Sequence, residues 1–209
     1  MDKIGRKPER AKTSRLDLYR ILDAAHVGVL STIKDGKPWS IPTLYARVDD
    51  RIVLHGSTGA GALRHVAAGA DATFCVFVMD AIVVADNLFN SSANYRSAVV
   101  RGQLQKLTEA EALDGLTRMS DGLIPGRSAE VVATSTKELA ATLAIALSIE
   151  DDNWTAKERS GGPGEPDVDP DAWTGIVPMT TAYGDPVPSE FVPEGTLVPD
   201  SVIRLAAQT

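Results

Sequence analysis

A chain of 209 residues with 44% hydrophobic and 23% charged residues has the make-up of one ordinary globular domain, or of one domain with an appendage, and excludes wholesale disorder and a coiled coil. The formal charge of −7 is unevenly laid out: residues 1–20 carry seven basic side chains (Lys3, Arg6, Lys7, Arg10, Lys12, Arg15, Arg20) and net +4, residues 21–159 carry −4, and residues 160–209 carry eight acidic side chains, only Arg204 as counter-charge, and net −7. A neutral body with an acidic tail excludes ordinary nucleic-acid binding, and the basic start reads as a solvated arm over residues 1–14.

Leu18, Ile21, Leu22 and Ala25 fall at helical spacing in residues 15–25, with Ser14 placed to cap the helix. The period then changes. Residues 26–33 predict a strand, Lys34-Asp-Gly-Lys37 a hairpin turn, and residues 38–48 a second strand with Trp39, Ile41, Thr43, Tyr45 and Arg47 on one face. Asp49-Asp50 predicts a turn into a third strand over residues 51–55. A small, flexible run from Gly56 to Gly61 precedes a short helix near residues 61–68. Residues 72–79, 81–85 and 95–107 are β-rich, and Thr108 with Glu111 predicts a capping box opening a helix to about residue 122. Residues 136–142 fit helix or strand, and residues 143–149 read as strand. Short strands, tight hairpins and few helices favour an antiparallel barrel, mainly β with helices (α+β), over a parallel sheet.

From Ser160 the chain becomes Gly/Pro-rich and acidic, and eight of the 12 prolines lie there. Trp173, Ile176, Val177, Tyr183, Phe191 and Leu197 punctuate it, which predicts packing on the barrel or on a dimer. The expected division is an arm over 1–14, a barrel over 15–159 and an extension over 160–209. Cys75 is the single cysteine, so no internal disulfide or cysteine-based zinc cluster exists, and a buried inert thiol is the expectation. No secretion signal precedes the first helix and no apolar run approaches the roughly 20 residues that cross a bilayer, so a soluble cytoplasmic chain without membrane partners is expected.

The three histidines, His26, His55 and His65, have no metal-binding spacing. His55 ends a strand at a Gly/Ser/Thr turn and is a candidate ligand contact, with plain packing as the alternative. His55-Gly-Ser-Thr-Gly-Ala-Gly61 offers backbone N–H groups, the hydroxyls of Ser57 and Thr58, and a helix start to an anion. It matches neither a Walker nor a dinucleotide fingerprint. Arg96 in Asn94-Tyr-Arg-Ser97 would pair a phosphate and Tyr95 would line a ring, with a surface Arg as the alternative. In Trp154-Thr-Ala-Lys-Glu-Arg159, Trp154 would stack on a ring and Lys157 with Arg159 would supply charge, with an exposed helix turn as the alternative.

Taken in order, Ile41-Pro-Thr-Leu-Tyr-Ala-Arg47, Leu54-His-Gly-Ser-Thr58, Asn94-Tyr-Arg-Ser97, Pro125-Gly-Arg127, Thr136-Lys-Glu-Leu139, Trp154-Thr-Ala-Lys157 and Trp173-Thr-Gly-Ile-Val-Pro178 resemble the pyridoxamine 5′-phosphate oxidase-like, FMN-binding split-barrel family. The branch that looks closest includes nitroimidazole-resistance-type flavoproteins. The resemblance implies a six-stranded antiparallel split barrel, a homodimer with the cofactor at its interface, and an FMN-dependent oxidoreductase acting on a small organic substrate. It places Ile41, Pro42 and Thr43 beside the flavin ring, His55, Gly56, Ser57 and Thr58 at the phosphate turn, and Arg47 or Arg96 as charge partners. Tyr95 and Ser97 would border the cofactor, and Trp154 and Lys157 would reach the flavin edge, from the partner subunit in a dimer. Two departures stand out. Ala60-Gly61 replaces the Ser-Arg of many relatives, which removes about 1–3 kcal/mol of charge-assisted bonding. The Arg-x-His-x-Arg segment of true pyridoxamine phosphate oxidases is absent, so that activity is not expected. The deazaflavin F420, haem with an axial histidine, or flavin storage without turnover are the alternatives.

Overall fold

The computed structural model describes residues 4–208, so Met1, Asp2 and Lys3 of the expected arm, and Thr209, lie outside the described residues. Pro8–Arg10 form one 3-10 turn and Ala11–Lys12 a two-residue strand, β1. Helix α1, Arg15–Leu22, begins where the Ser14 hydroxyl accepts from the Leu16 N–H, satisfying one of the unpaired donors of a helix start. Its buried stripe is Leu18, Ile21 and Leu22.

Strands β2, Val27–Lys34, and β3, Lys37–Val48, are joined by Asp35-Gly36. Both turn residues are left-handed (φ 52° and 71°), the conformation whose twist matches a two-residue hairpin. Asp49 (φ 51°) turns the chain into β4, Arg51–Ser57. After α2, Gly61–Ala67, come the two longest strands, β5, Asp71–Val84, and β6, Ser92–Lys106. The two runs predicted over 72–79 and 81–85 are one strand, because a register shift between Met79 and Ala81 lets pairing with β6 continue. Helix α3, Glu109–Leu123, opens on the Thr108–Glu111 capping box. A second box, Ser135–Glu138, opens α4, Thr136–Ala141, and settles residues 136–142 as mainly helix. Then follow β7, Thr142–Ser148, β8, Trp154–Arg159, β9, Gly175–Pro178, and α5, Asp200–Ala206.

The sheet order is β1-β8-β6-β7-β4-β3-β2-β5-β9, and β5 also pairs with β6. Strands β6, β7, β4, β3, β2 and β5 therefore close into a six-stranded antiparallel ring, the split barrel expected from the sequence. Leu30, Tyr45, Ile52, Leu54, Phe74, Val100, Ile145 and Leu147 fill it, and Leu18, Ile21 and Leu22 of α1 join the same cluster. Each such side chain contributes about 2 kcal/mol by leaving water. The Tyr45 and Phe74 rings meet edge to face at 4.9 Å, and the Tyr45 hydroxyl donates to the Leu22 carbonyl. Burial pushes the Tyr45 phenol well above its ordinary pKa. Outside the ring, Val53, Ala144 and Ala146 pack with Ala112 and Met119 of α3 in a second cluster.

The pairing of the ring changes in two places. At the seam, β6 pairs with β7 over Leu104–Lys106 and with β8 over Tyr95–Val100. Asn153 bridges the changeover, its Nδ2 donating to Arg101 O at 2.9 Å and Ser148 O at 2.8 Å. At the split, β4 pairs with β7 from Arg51 to Ser57 but with β3 only from Arg51 to Leu54. Beyond the Tyr45–Leu54 pair the strands part, and β3 pairs only with β2 over Lys37–Leu44.

In residues 160–208 the backbone of β9 extends the β5 edge over Ala81–Val84. The Asp86 carboxylate accepts from the N–H groups of Asp167, Val168 and Asp169 (2.9, 2.7 and 3.2 Å). Ser201 is fully buried and bonded to Glu130. Trp173, Phe191 and Leu197 stay largely exposed on the single chain.

Candidate functional site

The split sets the geometry of the first group of predicted residues. Ile41, Pro42 and Thr43 lie on one lip and His55, Gly56 and Ser57 on the other, past the last rung that joins β3 to β4. The pleat turns Ile41 toward the barrel core and leaves Pro42 and Leu44 exposed. Ser57 and Thr58 are exposed in the turn after β4, where Ser57 Oγ accepts from the Gly59 N–H at 3.2 Å. Thr58 shares a shallow cavity with Arg64 and Lys106, two cations near the position where Ala60-Gly61 lacks an arginine.

His55 differs from the other histidines. His65 Nε2 is bonded to the Ile33 carbonyl at 2.9 Å, and His26 is exposed beyond α1. His55 is half-buried, its Nδ1 is buried without a partner, and burial lowers its pKa. It is therefore neutral near pH 7, which is the form that ligates a metal or accepts a hydrogen bond.

Neither predicted phosphate arginine is free. Arg47 forms a two-pronged pair with Asp23 (2.8 and 2.6 Å), lies 4.3 Å over the Tyr19 ring and also donates to Asp49 O at 2.9 Å. Arg96 clasps Asp80 with contacts of 2.6 to 3.2 Å. The paired carboxylates raise both guanidinium pKa values. Arg47 ties β3 to α1, and Arg96 ties β6 across the irregular pairing of β5.

The pleat also divides Tyr95-Arg96-Ser97. Tyr95 stands opposite Arg159 and Ser97 opposite Lys157, so these four share one face of the β6–β8 pair, while Arg96 opposes Glu158 on the other. Trp154 is 3% exposed and belongs to the barrel core, with its indole N–H unpartnered. The Trp154–Arg159 segment is a strand, not a helix turn, because Val100 to Tyr95 offer it a full ladder of partners.

Tyr95, Lys157 and Arg159 line a cavity of about 590 Å³ with Arg6, Lys7, Arg10, Phe89, Asn90, Ser91 and Ser92. Sequence reasoning missed Arg6, Lys7 and Arg10 as site residues. The basic bias of residues 1–20 and the i, i+2 spacing of Lys157 and Arg159 on a strand were the available signals. This cavity and the split do not meet within one chain, since β6 and β7 separate β8 from β4. Cys75 is half-buried, and burial raises its thiol pKa. Among the described residues no cluster of three or more His, Cys, Asp or Glu side chains would hold a bare metal ion, and no helix is long and apolar enough to cross a membrane.

A closed antiparallel ring with one open split and a strand added beside its seam defines a split β-barrel protein. Residues 14–154 match the family model described as pyridoxamine 5′-phosphate oxidase, and the chain belongs to that family. It is similar to the FAD and haem binding protein from Mycobacterium smegmatis, with 41% identity over 94% of this chain and 97% of that one and a TM-score of 0.89. A flavocytochrome from Azotobacter vinelandii is 26% identical over 97% of this chain and 94% of that one, with a TM-score of 0.86. A candidate 5-nitroimidazole antibiotic resistance protein from Bacteroides thetaiotaomicron, 14% identical over 71% of this chain and 86% of that one, shares the fold with a TM-score of 0.60. No curated protein matches the chain significantly.

Proposed function

We propose that this chain is a flavin- and haem-binding electron-transfer protein of the cytoplasm whose flavin is FAD, where the sequence resemblance alone implied FMN. The observation that carries the reading is similarity over 94% of this chain and 97% of the other to a protein described as binding both FAD and haem. The flavin would lie along the split, where Pro42, Thr43, Gly56, Ser57 and Thr58 border strand edges that lack a β3–β4 ladder. His55 would hold the haem iron in preference to His26 and His65, because it is half-buried, its Nδ1 has no partner and burial lowers its pKa.

The flavin supplies hydride or electron transfer when bound, and the protein supplies orientation and tuning. Arg47 and Arg96 would act through the scaffold, since their guanidinium groups are taken by Asp23 and Asp80. Tyr95, Ser97 and Lys157 lie across the barrel from the split and would reach the flavin only from a second copy, so the reading includes a homodimer with the cofactor at its interface. A small organic molecule is the expected substrate of such an oxidoreductase.

The test is the absorbance spectrum of the purified protein, followed by extraction of the cofactors. A Soret band with flavin absorption, release of FAD on denaturation, and loss of the Soret band in His55→Ala but not in His26→Ala or His65→Ala are expected. Release of FMN would restore the mononucleotide reading. A protein that is colourless and takes up neither added flavin nor haem overturns the proposal. Light scattering reads the dimer.

A further inference from the structure

We propose that the cavity between the N-terminal arm and β8 is a binding site for a nucleotide-type ligand: two or more linked phosphates carrying a planar ring. Among the described residues it is lined by five cationic side chains, Arg6, Lys7, Arg10, Lys157 and Arg159, and by no carboxylate, the Asp167 carboxylate accepting from the lining Asn90 at 3.3 Å. That concentration stands on a body, residues 1–159, whose formal charge is zero.

The strand pleat sorts the charges. Lys157 and Arg159 face the cavity, while Glu158 faces away and spends its carboxylate on Lys12 and Arg20. Among the described residues, none of the five cavity cations forms an ion pair. Lys157 donates to the Arg6 carbonyl at 3.0 Å, which holds the arm on the strand, and Arg159 donates to Asn94 Oδ1 of β6 at 2.6 Å; neither bond neutralises its charge. The β1–β8 pairing, Ala11 with Lys157 and Lys12 with Ala156, fixes the arm from the other end. Lys7 stands in the left-handed region (φ 56°, ψ 58°), a conformation that a non-glycine residue adopts at a local cost and that gathers at ligand clamps.

The volume, about 590 Å³, is that of a small-molecule site rather than of a protein-docking face. Three guanidinium forks with the Ser92 hydroxyl suit phosphate oxygens better than isolated carboxylates, while Asn90 and Ser91 are held by Asp167 and the Asn87 carbonyl. Tyr95 inside and Phe89 at the mouth, 95% exposed, offer a ring its apolar contact. The same chemistry would come from a free nucleotide or from the diphosphate half of a dinucleotide cofactor.

Calorimetric titration of the purified protein with ADP, AMP, inorganic pyrophosphate and a glutamate oligomer tests the site. The comparison is a combined Arg6→Gln, Lys7→Asn, Arg10→Gln variant, with asparagine chosen because it tolerates the left-handed backbone. If the ligand is a free nucleotide, ADP and pyrophosphate bind the wild type more tightly than AMP, and the variant binds them at least about tenfold more weakly. If the ligand is the cofactor's own diphosphate, the loaded protein takes up no ADP, and the variant binds FAD at least about tenfold more weakly while its affinity for FMN is unchanged. ADP binding equal in both proteins, no ADP binding together with unchanged FAD affinity, or tighter binding of the glutamate oligomer overturns the proposal. Unchanged melting temperature certifies the variant, and Lys7→Asn alone replaces it if the combined variant is unstable. A colourless protein would sink the flavin and haem reading and leave the ADP titration to decide this one.

Discussion

The ring parts in two places, and the chain treats them oppositely. At the seam β7 leaves β6, and β8 takes up the vacated edge with Asn153 satisfying carbonyls on both sides. At the split β3 leaves β4, and among the described residues no strand takes the vacated edges. Unpaired backbone polar groups are tolerated only where water, a side chain or a ligand serves them. The seam is thus a structural repair, whereas the split leaves backbone groups for water or a ligand to serve.

The comparison breaks most easily at the seam. Asn153→Ala removes both amide donors from part-buried carbonyls and should cost about 2–4 kcal/mol in urea denaturation. A loss below about 1 kcal/mol would mean that water serves those carbonyls equally well. Gly102, at the changeover, has φ 151° and would bring a Cβ to 3.2 Å from Leu147 Cδ1. Gly102→Ala should cost about 1–3 kcal/mol, read as a lowered melting temperature.

At the split the expected effect on stability is smaller and lies in its pH dependence. Burial lowers the folded-state pKa of His55, so the unfolded chain takes up this proton first and stability falls as pH drops below about 6.5. In the cofactor-free protein, His55→Ala should flatten the dependence of the denaturation midpoint on pH between 7 and 5. An equal slope in both proteins would assign the sensitivity elsewhere.

The smallest effect is expected at the cap of α3, which packs behind β4. Arg51, followed by the Thr108 backbone and hydroxyl, holds the exposed Glu111 carboxyl at about 2. Its folded pKa is depressed, so its contribution is complete above the unfolded value near 4.5 and is lost as pH falls toward 2. Glu111→Gln should reduce stability slightly at pH 7 and converge with wild type near pH 2.

Features of short range were legible in the sequence. Asp35-Gly36, the Ser14 cap and the Thr108–Glu111 box are read from adjacent residues and stand where expected, because a turn or a cap needs few partners. The ring of strands and its family were legible too. The partners of Arg47 and Arg96 were not, because Asp23 and Asp80 lie 24 and 16 positions away in sequence. Neighbours in sequence also misled: Tyr95, Arg96 and Ser97 read as one constellation, yet a strand sends alternate side chains to opposite faces. The arm read as solvated charge because nothing in residues 1–14 announces the edge of β8, created by a segment some 140 residues later, on which it docks.

The contact of Asp86 with the extension has a consequence for how that segment can vary. An acidic residue holds an acidic stretch by accepting from three consecutive backbone amides, and those bonds hold its own pKa down. Those three bonds read main chain, so Val168 can change in side chain without loosening the dock as long as it does not become proline, whereas Asp167 adds a side-chain hold by accepting from Asn87 at 3.1 Å and Asn90 at 3.3 Å. The Asp169 carboxylate in turn accepts from the Asp171 N–H at 3.1 Å, so both acidic side chains of this stretch are engaged locally. Variation in this stretch should therefore gather at Val168 rather than at Asp167.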